Sequence, residues 1–202
     1  MKLLFIISIA FFSINLNAQF YNGSITLNDG KKLTGLIEFN YDNGINYMQS
    51  EDDDDFLAIS ADDIRLVQAT INDIDENFVF LDAPFALSKK NESESIRKRL
   101  FRIMVQGRVT LLEYTPSSAL LILSSSDINV LYLRKTDNEI PKMFSYIQKG
   151  AIIGARYQHR NFKEFTAEYF SDCAILVEKI NNKDFKAKHS LEVVEFYNNN
   201  CN

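Results

Sequence analysis

The chain has 202 residues, 46% of them apolar and 24% charged, with 22 basic against 27 acidic side chains and a formal net charge of −5. That balance gives no support to a nucleic-acid partner, because phosphate binding runs on a concentrated excess of Lys and Arg. Sixteen Phe and nine Tyr against three Pro and seven Gly set aside a chain disordered by composition, so one compact domain with a real core is expected.

The first residues, MKLLFIISIAFFSINLNAQ, hold one basic residue (Lys2), an apolar run from Leu3 to Ile14, a short polar stretch and the small residue Ala18. This is the pattern of a secretory signal peptide, and the run is shorter than the about 20 residues of a membrane helix. Leu16 and Ala18 fit the positions read by signal peptidase, which puts cleavage before Gln19, with no cysteine near the junction for a lipid anchor. Loss of Lys2 leaves 21 basic against 27 acidic side chains, a charge of −6. No later segment is apolar enough to cross a membrane as a helix. The expected location is extracytoplasmic: periplasmic, outer-membrane-associated or secreted.

From Phe20 to about Lys135 apolar residues recur at every second position, the signature of strands. In SITLNDGKKLTGLIEF, Ile25 and Leu27 precede Asp29-Gly30, and Leu33, Ile37 and Phe39 follow it, so a hairpin with a type I′ turn is predicted. RLFRIMVQGRVTLLEY predicts a second hairpin, with Phe101, Ile103 and Val105 on one face, Val109 and Leu111 after the turn, and Gly107 letting the chain reverse. Further strands are predicted at Phe56–Ile59, Leu66–Ile71, Phe78–Leu81, Ala119–Leu123 and Val130–Leu133. About eight to ten short strands in an antiparallel system result.

After Ile140 the period changes, although Pro141 to Arg156 reads equally as strand or helix. Phe162, Phe165, Tyr169, Cys173, Leu176 and Ile180 draw one stripe along a helix, with Asn161 as its cap and Glu164 as the reciprocal partner. A last helix from Leu191 places Leu191, Val194, Tyr197 and Cys201 on one face, capped by Ser190. The fold class is therefore α+β: residues 1–18 a leader, 19–140 a mostly antiparallel β-body, and 141–202 a segment with two C-terminal helices packed on it.

Cys173 and Cys201 are the only cysteines, each on the apolar stripe of its own helix. In an exported chain two inward-facing cysteines far apart in sequence read as one structural disulfide. A reactive thiolate needs a base, a helix N-terminus or a Cys-x-x-Cys pair, and Cys173 is expected in mid-helix after Asp172.

Charge is segregated. Glu51 to Glu76 holds ten acidic side chains and one basic, Arg65, while Lys89 to Arg108 holds seven basic ones against Glu92 and Glu94. The run Glu51–Asp55 lacks the spacing of a calcium loop, and Asp73–Phe78 has Phe78 where such a loop needs glycine, so both read as solvated acidic turns. The basic stretch could meet an anionic partner or the chain's own acidic segment. His159 and His189 have no metal-ligand spacing, and no nucleophile elbow or phosphate loop is present. No catalytic, metal or cofactor residues are assigned. A carboxylate pair for glycan hydrolysis has no motif behind it.

The leader ending NAQ, the hairpin LNDGKKLTGLIEF, the central FRIMVQGRVTLLEY, and the tail with DC followed by FYNNNC resemble a group of exported proteins of Bacteroidetes. Larger members of that group continue into an outer-membrane barrel, so the resemblance implies an envelope-facing accessory domain and supplies no catalytic residues. The expectation is a non-catalytic binding or accessory module whose partner is an envelope protein or a glycan. The alternatives are a hydrolase with a carboxylate pair and a carrier of a small apolar ligand inside the β-body.

Overall fold

The computed structural model describes residues 19–53, 55–85, 96–116, 126–150, 154–158 and 161–201. The predicted leader, the predicted strand at 119–123, Asp54 and His159 lie outside them. Among the described residues eleven strands form one sheet. They are β1 (Tyr21–Leu27), β2 (Lys32–Phe39), β3 (Gly44–Met48), β4 (Leu57–Ser60), β5 (Ile64–Ile71), β6 (Ile74–Ala83), β7 (Arg97–Val105), β8 (Thr110–Tyr114), β9 (Ser126–Arg134), β10 (Lys142–Gly150) and β11 (Gly154–Gln158). Their order is β11-β10-β9-β8-β7-β6-β5-β1-β2-β3-β4, antiparallel throughout. Among the described residues three α-helices follow: α1 (Phe162–Tyr169), α2 (Ala174–Asn181) and α3 (Ser190–Asn200). The chain is thus the expected α+β fold, with the sheet carried past residue 140 by β10 and β11.

One connection forces the sheet to roll. β4 and β5 are joined only by the 3-10 turn Ala61–Asp63, yet β3, β2 and β1 stand between them in the sheet. Laid flat, four strand spacings would separate them by about 19 Å, whereas the link reaches at most about 14 Å. The first five strands therefore curl into a small barrel left open between β4 and β5. Its interior is filled by Ile25, Ile37, Ile45, Ile64 and Val67, with Phe78 and Phe80 reaching in from β6. The same curl brings Phe39 of β2 to 4.8 Å from Phe78, ring to ring.

Beyond β6 the sheet is covered on both faces. One face, continuous with the barrel interior, carries Leu111, Leu131, Leu133 and Phe144 under the helices, which contribute Phe170, Leu176, Val193 and Val194. The other buries Phe101, Leu112, Tyr114, Val130 and Tyr132. This explains why every residue from Leu111 to Tyr114 is buried, where a one-sided strand would alternate.

Several local expectations change. The β1–β2 turn is not type I′: only Gly30 has positive φ (91°), and Gly30 N–H donates to Leu27 O, which makes a longer loop. The two-residue turn with both φ positive is Asn72-Asp73, between β5 and β6; the rest of the stretch read as an acidic turn, from Ile74 to Phe78, is strand β6 instead. In the second hairpin the register shifts between Ile103 and Val105, so Val105 joins the helical core while Phe101 faces the other way. Gly107 leaves room for α3, since a Cβ there would meet the Asn198 amide at 2.5 Å and displace that side chain. That amide bonds both the N–H and the C=O of Val109, at 2.9 and 2.8 Å, tying α3 to the hairpin.

The predicted stripe from Phe162 to Ile180 belongs to two helices, not one. The chain turns between Phe170 and Cys173, where Phe170 N–H bonds Thr166 O and Cys173 N–H bonds Phe170 O. Ser171 and Asp172 favour such breaks because their side chains compete for backbone groups. Cys173 consequently precedes α2 rather than sitting in mid-helix. Asn161 makes no side-chain cap bond. Ser190 is the first residue of α3 and bonds Ala187 O and Ser145 Oγ instead of capping, while Leu191 is exposed and Val193 takes its core place.

Candidate functional site: a cleft on the concave sheet face

Between the barrel core and the helical core the same sheet face carries a ladder of polar side chains. Arg102 of β7 lies directly across from Glu113 of β8 and from Phe78 of β6, with Glu76 one step along β6. Antiparallel register puts these side chains on one face. Arg102 donates from Nε to Glu113 Oε2 at 2.8 Å and from Nη1 to Glu76 Oε1 at 2.5 Å. Asn129 Nδ2 of β9 donates to the other Glu113 oxygen at 2.8 Å. Four neighbouring strands are thereby linked through polar groups. Burial works against the Arg102 charge, but the bond to Glu76 and the Glu113 carboxylate outweigh it and hold the guanidinium above its ordinary pKa.

The ladder floors an open cleft of about 670 Å³. Rings form its walls. Tyr21 and Phe39 stand 5.9 Å apart, Phe39 meets Phe78, and Tyr41, 62% exposed, stands at the rim. Glu38, Asp42, Glu76 and Glu113 contribute carboxylates. Glu38 Oε2 accepts from Asn46 Nδ2 at 2.8 Å.

Tyr41 sits at φ 47°, a region in which bulky residues are strained. Its neighbour Asp42 over-determines that conformation. Asp42 Oδ1 accepts the Leu100 N–H and Oδ2 accepts the Tyr114 hydroxyl, both at 3.0 Å. Tyr114 in turn accepts from Arg99 Nη1, and the buried Arg99 guanidinium lies against both the Phe85 and Tyr114 rings, at 5.2 and 5.1 Å. Burial, then the Asp42 charge, push the Tyr114 hydroxyl pKa up, so it stays a donor. The 3-10 turn Tyr41–Asn43 is thus locked to β7 and β8.

The predicted charged segments meet at two ion pairs among the described residues. Lys98 of the basic stretch pairs with Asp62 at 3.0 Å and Asp82 at 3.5 Å, and Arg102 takes Glu76. In the acidic run Asp53 Oδ2 accepts the N–H groups of Gln49 and Ser50, which closes a turn. Among the described residues no His, Cys, Asp and Glu cluster is placed to hold a metal. His189 Nδ1 accepts the Lys186 N–H, consistent with a helix entry.

Cys173 and Cys201 stand at disulfide distance, their Cα atoms 5.4 Å apart. A second polar cluster surrounds them. Tyr197 donates to Asp172 Oδ2 at 2.6 Å, Lys135 approaches Asp172 at 3.4 Å, and Arg108 donates to Cys201 O. No helix among the described residues is long and apolar enough to cross a membrane.

Sequence reasoning placed Arg102 and Glu76 only in charged stretches and missed Glu113, Tyr41 and Asp42. The available signal was Glu113 itself, a charge inside the apolar strand TLLEY. No protein-family model, curated protein or solved structure matches the chain.

Proposed function

We propose that the protein is an exported, non-catalytic binding module of the cell envelope, and that the cleft floored by Glu76, Arg102 and Glu113 is its contact site. The observation that carries this reading is the state of that floor. A hydrolytic carboxylate pair needs one carboxyl free to give a proton and another free to attack or to activate water. Here both glutamates already accept hydrogen bonds from one guanidinium, an arrangement that fixes shape and charge. The leader before Gln19 and the paired cysteines support export. The carrier reading would need an enclosed apolar chamber, and the barrel interior is occupied by its own Ile, Val and Phe side chains.

A native mass spectrum of the protein recovered from its own envelope, repeated after denaturation and thiol alkylation, tests the reading. A chain beginning at Gln19, refractory to alkylation and leaving the envelope with a protein partner, is the expected result. Turnover of a glycan by the purified protein, with no partner retained, would overturn it.

A further inference from the structure

We infer that the cleft takes an ammonium group, presented as a lysine side chain on an extended segment of a partner protein. The inference rests on the binding-module reading and adds the chemistry of the ligand. Four carboxylates line the cleft against the Arg102 guanidinium and, in a chain that begins at Gln19, the Gln19 α-amino group, which leaves a net charge of −2. Arg102 is spent on Glu76 and Glu113, so an anionic ligand would meet net repulsion there. Glu38 Oε1 and Glu76 Oε2 accept no hydrogen bond among the described residues, which leaves two carboxylate oxygens for a donor.

The walls supply the other half of the recognition. Tyr21, Phe39, Tyr41 and Phe78 offer ring faces, and a cation over a ring gains from the ring quadrupole most where water is excluded. An ammonium group is compact and carries three donors, enough for both spare oxygens and a third contact. A neutral sugar could stack on the rings but would leave the excess negative charge uncompensated. The cleft is open and about 670 Å³, larger than one side chain, so the peptide bearing the lysine has room to lie along it.

Calorimetric titration of the purified protein with tetralysine, with the same peptide acetylated on every Nε, and with chitotetraose separates the outcomes. Tetralysine is expected to bind, and acetylation to weaken binding at least about tenfold by removing the charge. Tyr41→Ala and Glu38→Gln should each weaken tetralysine roughly threefold or more, while Glu192→Gln, an exposed charge on α3, should change nothing. Tyr41→Gly, which suits the positive φ, guards against misfolding and should lose binding as Tyr41→Ala does.

Absence of tetralysine binding, equal binding of the acetylated peptide, or equal sensitivity to Glu192→Gln would overturn the inference. Binding of chitotetraose that depends on Tyr41 would also overturn it, yet would leave the binding-module reading standing. That reading fails separately, through the envelope mass spectrum.

Discussion

Phe39 and Phe78 meet with ring centres 4.8 Å apart and planes tilted by 55°, although β1 and β5 lie between their strands in the sheet. The contact is possible only because the three-residue link after β4 rolls the first five strands into a barrel, and it forms one wall of the cleft. Phe39→Ala should therefore loosen the curl as well as remove a ring. A loss of about 2–3 kcal/mol is expected for a partly buried phenylalanine, measured by denaturant unfolding, together with weakened binding in the cleft.

Arg102 tests the polar floor. Removing it by Arg102→Leu leaves Glu113, whose side chain is 8% exposed, without its cation. Arg102 itself is 35% exposed, so a loss of about 2 kcal/mol is expected, below the about 3–5 kcal/mol of a fully buried pair broken from one side. The double variant Arg102→Leu with Glu113→Leu should recover much of that loss, and a double-mutant cycle on unfolding free energies checks it.

The pairing of the cysteines, 28 residues apart, should stabilise the fold by about 3.5 kcal/mol in the chain-entropy model. Cys173→Ala with Cys201→Ala should lower the unfolding midpoint. Reductant should bring the wild type to the level of the variant and leave the variant unmoved.

Stability should fall at both ends of the pH scale through Asp172 and Tyr197. Burial opposes the Asp172 charge, but the Tyr197 hydroxyl and Lys135 outweigh it and hold the carboxyl below its ordinary value. Its contribution is present above the unfolded pKa of about 3.9 and is lost as pH falls through the lower folded value. Burial and the Asp172 carboxylate push the Tyr197 hydroxyl up to about 12. Its contribution is complete below the unfolded pKa of about 10 and is lost as pH rises through about 12. Asp172→Asn should flatten both limbs of a plot of unfolding midpoint against pH.

Tyr41→Gly separates stability from function. Glycine relieves the backbone strain at φ 47° and raises the entropy of the unfolded chain in exchange. Thermal stability should stay within about 1 kcal/mol of wild type, while cleft binding falls.

Local order was legible where one period dominated. Alternation found most strands, and two cysteines on apolar stripes found their partner. The stripe from Phe162 to Ile180 concealed a break because the turn at Ser171-Asp172 kept the apolar residues on one side, and only the adjacent Ser and Asp signalled it. Gly107 was assigned to a turn, whereas its need for space comes from Asn198, ninety-one positions later in the sequence. The cleft was illegible for the same reason. Glu76, Arg102 and Glu113 meet through cross-strand register, and register across three strands depends on the bulge before Val105 and on the roll of the barrel.

The most direct measurement is photo-crosslinking in the native envelope, with p-benzoylphenylalanine replacing Tyr41 and, as control, replacing Glu192. A covalent adduct from position 41 to a lysine-bearing segment of one envelope protein, with none from position 192, is the predicted result. The same adducts from both positions, or none from position 41, would contradict the cleft as the contact site.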